Sequence, residues 1–377
     1  MRLNIPNWLL NYSILFYMYL KNVFLLLFLL LILSACNDDF PINSEWKDIT
    51  IVYGLLNASD TVQYIKINKA FLGEGDVYAM AREADSIQYS QELDVRLIEY
   101  RIIDATVNPY LEFNWEPTSR DAIILTRTNE IPKNEKDIHG NPGIFSTELN
   151  YIYKTTESVS NRFKYKLLIK NPLNGKEVWS ETYMIYDMRI TNPSPFVDNK
   201  LNMANELNAY TTSWESAVYG KVYQPAIRFN YYEVKDGDTT LNNIIIKYNS
   251  QVSSVIRNPS PGESGLVMDQ IIGGIQFYKS IVNKIEPNMG VLRVIRDIDF
   301  IYYVGGQNFF TYMNVSEAQV NYGQAAPEFS NIKNGKGMFD SRFKIEVGGK
   351  ELTVPSIDSL ANGRFTKHLG FANYSIP

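Results

Sequence analysis

The chain has 377 residues, with 36 Lys and Arg against 41 Asp and Glu and a net charge of −5. No lysine or arginine cluster forms a basic stripe, so nucleic acid, whose binding depends on neutralised phosphates, is excluded as an expected partner. A single cysteine rules out an intrachain disulfide, and the two histidines, His139 and His368, leave little for a zinc site or a serine–histidine–acid triad.

The first element is an uninterrupted apolar run at 23–33 that ends in Ser34, Ala35 and Cys36. Its 11 residues are too few for a membrane span, which needs about 20, and fit the apolar core of a secretory signal. A small residue just before the lone cysteine is the pattern of a bacterial lipoprotein signal, which makes Cys36 the expected lipid-attachment residue. Residues 1–35 are then signal peptide and 36–46 a tether. An uncleaved anchor that also uses the apolar stretch at 8–20 is the competing reading. Lys21 just before the run favours Met18 over Met1 as the start. Residues 1–35 hold Arg2 and Lys21 and no acid, so the remainder carries 34 basic against 41 acidic side chains.

Residues 47–72 read as a β-hairpin, with strands at 49–53 and 62–67 and a turn at Asn57, Ala58, Ser59 and Asp60. A short helix is expected over about 77–84. Strands follow at 93–100, 122–126, 149–153, 163–169 and 177–180, with a polar loop at 132–142 and a hairpin loop at 171–176. Short strands at this spacing predict an immunoglobulin-like β-sandwich over 47–190.

Asn192, Pro193, Ser194 and Pro195 mark a boundary, and the segment to about Thr212 is polar and Asn-rich. A second β-rich domain is expected over 191–377. Its strands lie at 222–234 and 241–248, joined through Asp236, Gly237 and Asp238, a triplet that reads as a hairpin turn rather than a calcium loop. Ser260, Pro261 and Glu263 supply the elements of a capping box, and Val267, Ile271, Ile275, Tyr278, Val282 and Ile285 recur at helical spacing. They predict an amphipathic helix near 261–285. A strand at 291–304, a short aromatic helix at 308–316, a strand at 343–347 and turns at Asn334-Gly335 and Gly348-Gly349 complete the chain. The fold class is therefore mainly β (α+β). No metalloprotease, phosphate-loop, dinucleotide or nucleophile-elbow motif occurs, so no enzyme activity, metal or cofactor is expected.

The tail Phe329-Ser330-Asn331-Ile332-Lys333-Asn334-Gly335-Lys336-Gly337-Met338-Phe339-Asp340-Ser341-Arg342 resembles the closing motif of a Bacteroidota outer-membrane lipoprotein family classed as a domain of unknown function. The lipobox and the early strand pair fit the same family. Lys336 stands where the family carries leucine or valine. The resemblance implies an N-terminal immunoglobulin- or transthyretin-like sandwich and association with TonB-dependent transport systems, and it carries over no catalytic residue. The acidic pair Asp38-Asp39 after Cys36 resembles the surface-export signal of such lipoproteins. Together these give the expectation of an outer-membrane, surface-exposed lipoprotein. It would be held in lipid through acylated Cys36 and would act as a binding or accessory component beside a TonB-dependent receptor. A structural or adhesive surface protein and a two-carboxylate carbohydrate-active hydrolase are the alternatives.

Overall fold

The computed structural model describes residues 16–25, 49–70, 77–102, 115–136, 140–198, 200–204, 207–258, 264–288, 290–322 and 328–375. Residues 16–25 form a helix, α1, in a unit of their own. No helix among the described residues is long and apolar enough to cross a membrane. Cys36, the tether at 37–46, His139 and the capping-box residues 260–263 lie outside the described residues.

The fold is mainly β. In chain order the first part holds β1 (Thr50–Leu56), β2 (Gln63–Lys69), α2 (Val77–Arg82), α3 (Ala84–Ile87), β3 (Asp94–Ile102), β4 (Trp115–Pro117), β5 (Ile123–Thr128), β6 (Ile152–Thr155), β7 (Lys164–Lys170), β8 (Glu177–Tyr183) and β9 (Arg189–Asn192). The second part holds β10 (Ala209–Glu215), β11 (Val222–Lys235), β12 (Asp238–Lys247), β13 (Gln251–Val252), β14 (Val267–Gly273), α4 (Gly274–Val282), β15 (Leu292–Gly305), α5 (Gln307–Tyr322), β16 (Gly335–Lys350), α6 (Val354–Asn362) and β17 (Phe371–Ser375). A hydrogen-bonded path runs β12-β11-β15-β16-β1-β2-β6-β5-β3-β7-β8, and β14-β10-β9 form a separate three-stranded sheet.

Two apolar cores form along this path. Val52, Leu56, Ile65 and Ile67 of the first hairpin point inward, where they meet Val95, Leu97, Leu167 and Ile169 from β3 and β7. The second core packs Phe229 of β11, Tyr302 of β15 and Trp214 of β10 against Phe277 and Ile281 of α4 and Leu360 of α6. The long β11–β12 hairpin closes through Asp236 and Gly237, both at positive φ (52° and 92°), as the Asp-Gly signal predicts for a two-residue turn.

The tail belongs to both cores. Ile332 and Phe339 are buried in the first core, whereas Val347 is buried in the second. β16 pairs parallel with β1, Gly54 lying opposite Phe339, and antiparallel with β15. Trp179 of β8 exchanges both backbone hydrogen bonds with Lys333, so the path around the first core returns to the tail. The two cores are thus not two continuous stretches of chain: the tail enters both, and Ile185, Met188 and Ile190 of the second core precede residue 191. The glycines of the tail motif follow from this docking. Gly337 sits at φ 108°, and a Cβ there would overlap the Val52 carbonyl oxygen. Lys336 ion-pairs with Glu328.

Three sequence expectations are corrected. Residues 267–273 are strand β14, not helix, and α4 starts at Gly274. A spacing of four is even, so Val267 and Ile271 also share one face of a strand; they point outward while Met268 and Ile272 are buried. Gly273 marks the strand-to-helix change. The polar segment before Thr212 runs into strand β10, whose Thr212 and Trp214 face inward beside the exposed Thr211 and the half-buried Ser213 and Glu215. Gly348-Gly349 is no turn. It is an irregularity within β16, where the Gly349 N–H donates to Asp299 Oδ1 at 3.0 Å.

Candidate functional site

A cavity of about 310 Å³ lies where the tail passes from one core to the other. Its floor is the outer face of β11, β15 and β16. Val222 lies opposite Gly305 and Gln224 opposite Tyr303, while Gly305 and Tyr303 lie opposite Arg342 and Lys344. Phe309 and Met313 of α5 form one wall, and Asn57 and Asp60 of the β1–β2 turn form another. Gly305 is needed here, because a Cβ would run into the Phe309 ring and come within 3.1 Å of Val222.

The α5 wall is held by a buried carboxylate. Asp340 Oδ2 accepts the Phe309 N–H at 2.7 Å, while Oδ1 accepts from the Ser341 N–H (2.8 Å) and the Thr182 hydroxyl (2.9 Å). An acid at a helix N-terminus satisfies donors that have no partner within the helix and complements the helix dipole. Burial pushes the Asp340 carboxyl above the ordinary 3.8, against the pull of these donors. A Cβ on Gly306 would lie 2.6 Å from both Asp340 oxygens, so glycine is required there. Farther along α5, the Tyr312 hydroxyl donates to that of Tyr53 at 3.4 Å, and burial raises the Tyr53 hydroxyl well above its usual range.

The turn wall is equally fixed. Gln63, 2% exposed, accepts the Asn57 N–H and donates to the carbonyls of Asn57 (2.8 Å) and Asp60 (3.2 Å). Asn57 Nδ2 donates to Asp60 Oδ1 at 2.8 Å, and Asp60 Oδ2 accepts from Arg342 Nη2 at 2.6 Å. The other cation of the lining, Lys344, touches Glu346 at 3.1 Å, but Glu346 is already held through both oxygens by Arg228.

Other chemistry sought in the sequence is placed as follows. Asp297 and Asp299 are brought together at Asn230 Nδ2, at 2.6 and 2.9 Å. Asp299 also accepts from Arg228 and the Gly349 N–H, which makes the pair a brace across three strands. His368 is exposed in a short 3₁₀ turn. Among the described residues no group of three or more His, Cys, Asp or Glu could hold a metal ion.

No family model and no curated protein matches the chain. Among solved structures it matches the C-terminal globular domain of an oligosaccharyltransferase from Pyrococcus abyssi, at 13% identity. The match covers 67% of this chain and 45% of that one, with a TM-score of 0.18, and at that score it carries no argument.

The cavity residues escaped the sequence analysis. Asn57 and Asp60 read only as a turn, and Arg342 only as the last residue of the tail motif. The available signal was the motif itself, since Asp340 and Arg342 are both charged and both stand in its strand-like end.

Proposed function

We propose that this chain is a cell-envelope lipoprotein with a binding or accessory role beside an outer-membrane TonB-dependent transporter. Anchoring rests on the apolar run that ends at Ala35-Cys36. The observation that carries the binding role is the junction cavity: an apolar lining with a few convergent polar side chains, on a rigid scaffold, is the usual form of a small-ligand site. The tail motif that carries the family resemblance builds one side of that cavity and, through Asp340, fixes the helix on another. The acidic pair Asp38-Asp39 supports display on the outer surface.

Lipid labelling of cells expressing the full chain tests the anchor. The wild type takes up labelled palmitate and Cys36→Ala does not; equal labelling of both would refute the lipoprotein reading. Extraction in mild detergent followed by affinity purification tests the partner. Co-recovery of an outer-membrane barrel supports the accessory role, and recovery without one counts against it.

A further inference from the structure

We propose that the junction cavity binds a small organic carboxylate with an apolar body, and that Arg342 is the residue that takes the carboxylate. This rests on the binding role above and names the ligand class for that same site.

The body follows from the lining. Leu55, Val222, Phe309, Met313 and the ring of Tyr303 present apolar surface, and about 310 Å³ is at the small end of the range for ligand sites. The charge follows from the lining as well. Two cations, Arg342 and Lys344, face one acid, Asp60, in a chain whose overall charge is −5. Over the lining alone this leaves one positive charge in excess, which suits a monoanion; Glu346, which contacts Lys344 from outside the lining, is held through both oxygens by Arg228.

Arg342 is oriented rather than used up. Asp60 is fixed by Asn57, which is itself fixed by Gln63, and Asp60 engages the guanidinium through Nη2. The ion pair is open to water, with 55% and 32% of the two side chains exposed, so it contributes little energy and an incoming anion can share or replace it. A guanidinium presents donors in a planar fork that suits a carboxylate. Phosphate is a poorer match. A dianion exceeds the one excess positive charge, and the N-terminus of α5, the natural phosphate receptor in this region, is already occupied by Asp340.

The test is calorimetric titration of the full chain in lipid nanodiscs with phenylpropionate. Phenylpropanol (same body, no charge), acetate (same charge, no body) and phenyl phosphate serve as comparators. Phenylpropionate should bind saturably and at least about tenfold more tightly than the alcohol, with acetate silent. Arg342→Gln should weaken it about tenfold or more, equivalent to about 1.4 kcal/mol, with an unchanged melting temperature. The same variant in the same discs is the blank for partition into lipid. Met313→Trp fills the cavity from the α5 wall and leaves both cations in the sequence, and should abolish binding. Equal affinity for acid and alcohol, an unaffected Arg342→Gln, tighter binding of phenyl phosphate, or no saturable binding at about 1 mM would each overturn the proposal. Loss of carboxylate binding with intact lipid labelling and co-purification would sink this assignment alone. Failure of labelling or co-purification would sink the anchoring or accessory role and leave the ligand result standing.

Discussion

Phe339 gives the most direct test of the shared tail. Its side chain is fully buried in the first core although the next strand pairing of β16 serves the second. Truncating a buried phenylalanine to alanine costs about 3–5 kcal/mol from lost transfer energy and the cavity left behind. The ring lies over Gly54, its register partner, where an added Cβ would sit 3.1 Å from Phe339 Cδ2 and 3.3 Å from Ile65 Cγ1. Gly54→Ala alone should therefore overpack, at about 1–3 kcal/mol, less about 0.5–1 kcal/mol recovered by removing a glycine from a strand. In the Phe339→Ala background the ring is gone and the new methyl enters vacated space. Gly54→Ala should there be neutral or stabilising, a coupling of about 1–2 kcal/mol. Urea unfolding of the full chain in mild detergent, followed by near-ultraviolet circular dichroism, measures all four corners of the cycle. Hydrogen exchange should show lost protection in β1 and β2 before β11. A Phe339→Ala cost below about 1 kcal/mol, or additivity within about 0.5 kcal/mol, would refute this account of the tail.

Gly337→Ala should cost more than about 3 kcal/mol, because positive φ and overlap with the Val52 carbonyl act together; near-wild-type expression and melting would contradict it. Asp340→Asn should destabilise by about 1–3 kcal/mol, since an amide N–H₂ replaces one acceptor among three donors. Its pH dependence has a definite sign. Burial raises the folded pKa of Asp340, so its stabilising contribution is complete below the ordinary 3.8 and declines as pH rises through the raised value. The gap between wild type and variant in denaturation midpoint should narrow with rising pH, and a widening gap would be the contrary result. In alkali two effects oppose. Lys66, bonded to Asn150 Oδ1 and the Tyr151 carbonyl, is lowered by burial to about 8, so stability should rise between there and the ordinary 10.5. Tyr210 and Tyr223 are pushed by burial up to about 12, so their contribution is complete below 10 and is lost as pH climbs past it. Melting temperature should peak on the alkaline side in the wild type and lose its rising limb in Lys66→Gln; an identical limb in both would exclude Lys66 as its source.

Much of the β architecture was legible because it rests on local alternation. Val62 to Ile67 and Phe163 to Ile169 place every second residue inward, and the structure uses that alternation directly in β2 and β7. β14 was misread because a four-residue repeat suits a strand face as well as a helix face, and its pairing partner β10 is distant in sequence. β10 itself hides behind Thr211 and Ser213, whose polar side chains face out beside the buried Trp214. The candidate site was illegible for a different reason. Asp60 and Arg342 are 282 positions apart, and only the parallel pairing of β1 with β16 brings them together. Local pattern has no access to such a contact.

That parallel pairing also sets a schedule. β1 cannot gain its second neighbour until Gly335 and the residues after it have been made. At about 5–20 residues per second, ribosomal synthesis leaves an interval on the order of tens of seconds in which the first core lacks Ile332 and Phe339. Throughout that time β1 offers an open edge to any other chain, the setting in which mispairing begins. A strand made late in synthesis thus seals an edge made early.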